Sequence, residues 1–170
     1  ITVTITDAPV VNAGSNQTVC ANNAVVALNG TITVATGGIW STSGTGTFSP
    51  SNTDLNANYN PSASDTAAGS VTLYLTSTGN GSCLAVADSV IITITNAPVV
   101  NAGATIFRCS NNPNATLNGS SSTGSGIWST SGTGTFAPNN TSLNASYNPS
   151  PADVAAGSVL LTLTSSSNGL

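Results

Sequence analysis

GIWSTSGTGTF occupies Gly38–Phe48, and the same eleven residues return at Gly126–Phe136, 88 residues further on. Two unrelated domains would not share such a stretch, so the chain is a tandem repeat and has to be read one repeat at a time. The correspondence extends in both directions. Downstream, Tyr59-Asn60-Pro61 becomes Tyr147-Asn148-Pro149, and AAGSV at Ala67–Val71 becomes Ala155–Val159. Upstream, APVVNAG at Ala8–Gly14 returns at Ala97–Gly103, now 89 residues on, so one residue was lost between the two blocks. Cys20 returns as Cys109, and Leu28-Asn29-Gly30 as Leu117-Asn118-Gly119.

The frame follows from these matches. Residues 8–96 form one repeat and 97–170 a second that stops before its last strand. Residues 1–7 carry ITVTIT, which matches the end of the first repeat (IITIT, to Thr95) and is expected to be the last strand of a preceding repeat. The chain starts at Ile1 rather than Met, and the expectation is a mature or excised piece of a longer protein.

Each repeat has the pattern of strands. Ile1, Val3 and Ile5 alternate with Thr, and Val71, Leu73 and Leu75 alternate with Thr72, Tyr74 and Thr76. Period two with β-branched polar residues between the apolar ones describes a half-buried strand. Further strands are expected at Ala24–Thr31, Gly38–Ser43, Leu55–Asn60 and Ala85–Thr95, separated by Gly, Asn, Ser and Pro clusters. One short helical turn is expected at Pro61–Ala68, stopped by Gly69. The fold class is therefore all-β: two tandem immunoglobulin-like β-sandwich repeats of about 89 residues, the second incomplete. Trp40 and Trp128 are expected to fill the two cores.

Composition narrows function. There is one Lys or Arg in total (Arg108), no His, and charged residues make up 4% of the chain. Without clustered cations neither nucleic acid nor an anionic membrane surface is a partner. No apolar run approaches the roughly 18 residues of a bilayer span, so membrane insertion is not expected. Catalysis lacks its usual parts: only scattered Asp and Tyr remain, and no base is visible beside the abundant Ser and Thr. The chain reads as a non-enzyme with no cofactor and no metal. Asp65 and Asp153, at matching places before AAG, read as caps of the short turn rather than calcium ligands. The GTGT segments lack the Lys of a phosphate loop and read as turns.

Cys20 and Cys83 fall in one repeat and, with no His to complete a metal site, read as a structural disulfide that would stabilise the sandwich by about 4 kcal/mol. Cys109 would then pair with a Cys just beyond Leu170. Such a bridge implies an oxidising, extracellular or cell-surface location. Asn96-Ala97-Pro98 leaves almost no linker between repeats, and a stiff rod is expected. The sequence GIWSTSGTGTF followed by YNPSASDTAAGSV resembles the tandem immunoglobulin-like, PKD-like repeats of giant Bacteroidota surface proteins, including gliding-motility adhesins of the SprB type. The resemblance implies type IX secretion, a cell-surface or filamentous location, and an adhesive or spacer role. It also implies O-glycosylation at Asp-(Ser/Thr)-apolar sites, matched by Thr66 in Asp65-Thr66-Ala67 and Ser89 in Asp88-Ser89-Val90.

Three functions remain open on the sequence: a structural or adhesive repeat array, a self-assembling filament subunit, and an accessory carbohydrate-binding module of a secreted enzyme. Partners would be neighbouring repeats of the same chain, identical chains in a filament, or a surface polysaccharide. In a filament, Ile1, Val3 and Ile5 would be donated into the sandwich of a neighbour that lacks an edge strand.

Overall fold

The computed structural model describes residues 1–166. The chain separates into two compact units, the first ending at Asn96 and the second beginning at Ala97. Both are all-β with one short helix, and both are immunoglobulin-like sandwiches.

In the first unit the strands are β1 (Val10–Asn12), β2 (Gln17–Cys20), β3 (Val26–Ala27), β4 (Thr31–Thr33), β5 (Gly37–Thr42), β6 (Thr47–Ser49) and β7 (Asn58–Asn60). The helix α1 (Ala63–Ala68) follows, then β8 (Ser70–Thr78) and β9 (Ala87–Thr95). One layer is the four-stranded sheet β2-β9-β8-β5, the other the three-stranded sheet β3-β7-β6, and β1 pairs with β4 alone. The alternation seen in the sequence is the burial pattern of the long strands. Val71, Leu73 and Leu75 of β8 and Val90, Ile92 and Ile94 of β9 all point inward, each at most 4% exposed. They pack with Trp40, Tyr59, Val26 and Leu28 in one core. Trp40 is anchored there by its indole N–H, which donates to Leu55 O at 3.4 Å. Ser77 takes the next inward position of β8; buried and polar, its Oγ accepts the Val86 N–H at 2.9 Å.

Three features depart from the sequence reading. The segment Ala24–Thr31, expected as one strand, divides into β3 and β4, which belong to different sheets. The strands β1, β2 and β6 were not foreseen, because each is only three or four residues long. Most consequential is β9. It is not an edge strand but lies inside its sheet, antiparallel to β8 and parallel to β2, with Gln17 opposite Ile92 and Cys20 opposite Thr95.

The second unit repeats the plan with β10 (Val100–Asn101), β11 (Ala115–Thr116), β12 (Ser120–Ser121), β13 (Gly126–Thr130), β14 (Thr135–Ala137), β15 (Ser146–Asn148), α2 (Pro151–Ala156) and β16 (Leu161–Ser165). The small sheet β11-β15-β14 is preserved. The large sheet is reduced to β13-β16. Its counterpart of β2, Ile106–Cys109, forms no strand, and every residue from Asn101 to Ser110 is exposed. The core contains Trp128, Tyr147, Leu117 and Leu163, with Val159 and Leu161 only partly covered.

Candidate functional site

The most polar buried place in each unit is a corner joining the GTGT turn to the helix. In the first unit Ser62 caps α1: its hydroxyl accepts Asp65 N–H at 3.1 Å, and the Asp65 carboxylate accepts Ser62 N–H at 3.0 Å, a capping box with Asp in the third position. Gly69 ends the helix in the left-handed region, at φ 76°, where a side chain would be strained. Asp65 is buried, and its carboxylate reaches beyond the helix. Oδ1 accepts Thr45 N–H at 2.9 Å, and Oδ2 accepts Gly46 N–H at 3.0 Å and the Tyr59 hydroxyl at 2.7 Å. Having donated its proton there, Tyr59 Oη accepts from Thr42 Oγ1 at 2.9 Å and from Gly46 N–H at 3.2 Å. The turn residues have to be glycine for this approach, since a Cβ on Gly46 would stand 2.5 Å from both Asn60 O and Tyr59 Oη.

The second unit reproduces the corner. Asp153 accepts Thr133 N–H at 3.0 Å, Gly134 N–H at 2.9 Å, the Tyr147 hydroxyl at 2.7 Å and Ser150 N–H at 3.0 Å, with Ser150 as the cap of α2. Burial would push the Asp65 carboxyl up, but the donors from Tyr59, Thr45 and Ser62 outweigh it and hold its pKa below the ordinary value. The bond from the Thr133 backbone, the Tyr147 hydroxyl and the other amides hold Asp153 down to about 2, against burial. Tyr59 and Tyr147 are both raised, first by burial. Three of the four donors fall on Oδ2 and one on Oδ1, so most of each carboxylate's acceptor capacity is taken up inside the fold. Among the described residues no three of His, Cys, Asp or Glu converge into a metal site. The corner is a structural lock that ties turn, strand and helix together.

The second candidate is an open groove of about 550 Å³ in the second unit. Its floor includes Leu117, Trp128 and Tyr147, and its two walls are Val159–Leu161 and Thr105–Cys109. In the first unit the same space is filled by β9. Phe107 is 88% exposed and Leu160 69% exposed on the walls.

The residues singled out in the sequence are dispersed. Trp40 and Trp128 are both buried, each in its own unit. Ile1, Val3 and Ile5 are exposed and belong to no strand, since β9 already fills the last-strand position of the first unit. Thr66 is half-buried within α1 and donates its hydroxyl to Ser62 O at 3.0 Å, whereas Ser89 is exposed on β9. The Cys20–Cys83 pairing needs correction. All three cysteines are free thiols. Cys20 lies beside Thr95 and its Sγ contacts Asn96 O at 3.7 Å, at the end of β9. Cys83 lies in the loop before Ala87, at the beginning of β9, with its Sγ 3.4 Å from Asp7 O. A strand rising roughly 3.3 Å per residue puts more than about 20 Å between them, far beyond the ~7 Å Cα limit of a disulfide. The reading failed because the spacing of two cysteines says nothing of which end of a strand each occupies. The expected partner of Cys109 lies outside the described residues, and Cys109 itself is exposed.

The exposed aromatic side chains are Tyr74 in the first unit and Phe107 in the second; the other six are buried or half-buried. No helix among the described residues is long and apolar enough to cross a membrane.

No family model and no curated protein matches this sequence. Two solved structures align over most of this chain. Protocadherin gamma B2 cadherin domains 3–6 are 12% identical, with a TM-score of 0.38, covering 92% of this chain and 46% of that one. The immunoglobulin domains 1–5 of Sidekick-1 are 14% identical, with a TM-score of 0.39, covering 94% and 38%. The chain thus spans less than half the length of either.

Proposed function

We propose that this chain is a load-bearing structural or adhesive repeat segment of an extracellular, cell-surface or filamentous protein, and that it is not an enzyme. The observation that carries this reading is the parallel pairing of β2 with β9, the first and last strands in chain order of the first unit's four-stranded sheet. The chain enters β2 at Gln17 and leaves β9 at Thr95, so once the short β1–β4 pair has yielded, pulling on the ends slides these two strands past each other. All the hydrogen bonds of that ladder, and the apolar side chains beneath it, then resist together rather than opening one by one. The polar corner supports the same reading, because its carboxylate ties the turn, a strand tyrosine and the helix cap together. The likeness of GIWSTSGTGTF and YNPSASDTAAGSV to bacterial surface repeats also supports it.

Single-molecule pulling tests this. Tension between the ends of the first unit should meet a force peak well above that of a sandwich opened strand by strand. Gradual, low-force unzipping of that unit would reject the load-bearing role. In the native host, O-glycosylation is proposed at exposed Ser89 in preference to Thr66, whose hydroxyl is already held by Ser62. Peptide masses from native material lacking any glycan at Ser89 would reject that assignment.

A further inference from the structure

Three Asn-Gly dipeptides lie among the described residues: Asn29-Gly30, Asn80-Gly81 and Asn118-Gly119. A fourth, Asn168-Gly169, lies outside them. In this dipeptide the backbone can attack the preceding side chain. Glycine has no Cβ to hinder the approach of its nitrogen to the asparagine amide carbon, and its φ and ψ are the least restricted. The attacking atom is the glycine N, so its bonding decides the reaction. It has to give up any acceptor, lose its proton and swing toward Cγ.

Two of the three are locked. Gly30 N–H donates to Leu55 O at 2.9 Å, and Gly119 N–H donates to Leu143 O at 3.0 Å. Both glycines are buried against a tryptophan. A Cβ on Gly30 would stand 2.8 Å from Trp40 Cζ2, and one on Gly119 would stand 2.7 Å from Trp128 Cζ2, so neither backbone has room to rotate. Gly81 differs on each count. Its N–H has no acceptor among the described residues, and a Cβ added to it would meet no atom within 4 Å. Asn80–Cys83 is a turn closed by Cys83 N–H donating to Asn80 O at 3.0 Å, with Gly81 second in it at φ 59°. That bond fixes the turn and leaves the Gly81 N–H outside it. The Asn80 side chain is weakly held: Nδ2 donates to Ser77 O at 3.3 Å, and the buried Oδ1 has no partner.

We propose that Asn80 is a site of spontaneous deamidation, and that its conversion loosens the turn between β8 and β9. Gly81 N loses its proton and bonds to Asn80 Cγ; the Cγ–Nδ2 bond breaks, and Nδ2 leaves with that proton as ammonia. Water then opens the resulting succinimide at either carbonyl, leaving an aspartate or a β-linked isoaspartate in place of Asn80. The bond from Nδ2 to Ser77 O goes with the ammonia. Either product is a carboxylate, and the place of the buried Oδ1 offers it no donor. The isoaspartate also adds a carbon to the backbone of the turn. The rungs next to it are Ser77 N–H donating to Val86 O at 2.9 Å and Val86 N–H donating to Ser77 Oγ at 2.9 Å. These loosen first, while the Leu73–Val90 pair deeper in the ladder holds.

Side-chain exposure alone ranks the three sites the other way, since Asn29 and Asn118 are exposed and Asn80 is half-buried. The test is peptide mapping of the folded chain after incubation in mildly alkaline buffer made with heavy-oxygen water. Asn80 should convert, with uptake of heavy oxygen, at least about tenfold faster than Asn29 or Asn118, because a bonded amide reacts only in a rarely opened state. In denaturant the three rates should converge. Asn80→Gln should keep its amide, because the larger ring closes far more slowly. In the converted protein the Ser77 and Val86 amides should exchange at least about tenfold faster, with Leu73 and Val90 unchanged. In Asn80→Gln, put through the same incubation, all four should stay as they began. Equal rates at the three sites of the folded chain, or faster conversion at Asn29 or Asn118, would overturn the assignment of the site. A converted protein whose Ser77 and Val86 amides stay as slow as before would overturn the loosening of the turn.

Discussion

Leu73 and Leu161 occupy the same place in the repeat, yet Leu73 is completely buried and Leu161 only half-buried. The same holds for Val71 against Val159, and for Cys20, which is buried, against Cys109, which is exposed. The small sheets and the Asp–Tyr corners of the two units are nearly superimposable in their hydrogen bonds. What separates the units among the described residues is the large sheet: the counterpart of β2 forms no strand, and β16 spans Leu161–Ser165 where β8 spans Ser70–Thr78. The corner is satisfied within about 20 residues in each unit, whereas the large sheet of the first unit is completed by a strand from the far end of the repeat.

The first way to break this comparison is at the tryptophans, where the units are alike. Trp40→Ala and Trp128→Ala each remove a side chain that is 1% exposed, and each should destabilise its own unit by about 3–5 kcal/mol. Denaturant unfolding read through the remaining tryptophan should leave the other unit's midpoint in place. A much smaller loss at Trp128 would show that the open groove has already loosened the second core. Next in size is the corner. Asp65→Ala strands three backbone amides and the Tyr59 hydroxyl, and a loss of about 3 kcal/mol is expected by calorimetry. Asp153→Ala should lower the second unit in the same direction, because its corner carries the same bonds.

Comparable in size at its first member, and more telling, is the leucine pair. Leu73→Ala should cost the first unit about 2–5 kcal/mol. Leu161→Ala should cost the second only about 1 kcal/mol, since half of its surface gain has not been collected. Equal losses would mean that the two sheets are closed alike.

The repeat, its longer strands and the stop of its helix were legible because they are local: alternation in Val71–Leu75, and Gly69 after the helix; the N-cap itself is Ser62, three residues before the Asp65 that the sequence pointed to. The two buried tryptophans were legible from size and repetition alone. What was not legible is the order of strands in space. QTVC at Gln17–Cys20 has no clear alternation, and nothing in it announces a parallel partner 75 residues away. The error over the disulfide and the error over the edge strand have this one origin, since both depend on where β9 runs. The corner was half visible: Asp65 and Asp153 were read as caps, but the reach of their carboxylates to Gly46 and Gly134 needs the folded turn.

The last test uses pH, where the units should again agree. Asp65 and Asp153 have folded pKa values below the ordinary carboxylate, with Asp153 at about 2. A depressed carboxyl stabilises the fold fully above its unfolded pKa of about 3.9, and the benefit disappears as pH falls through the folded value. Tyr59 and Tyr147 are raised, so their contribution is complete below about 10 and is lost as pH climbs through their folded pKa. Between pH 5 and 9, roughly, these four groups should leave stability flat, because none of them titrates in either state there. Melting midpoints followed by the separate tryptophans should therefore form a plateau with an acid and an alkaline shoulder in each unit. Asp65→Asn should remove much of the acid shoulder from the first unit alone, because an amide has no proton to take up. If the first unit keeps its full acid shoulder in that variant, the corner is not the source of its acid sensitivity. The remaining carboxylate with a lowered pKa, Asp88 bonded to Ala13 N–H at 2.9 Å, would then be the group to change.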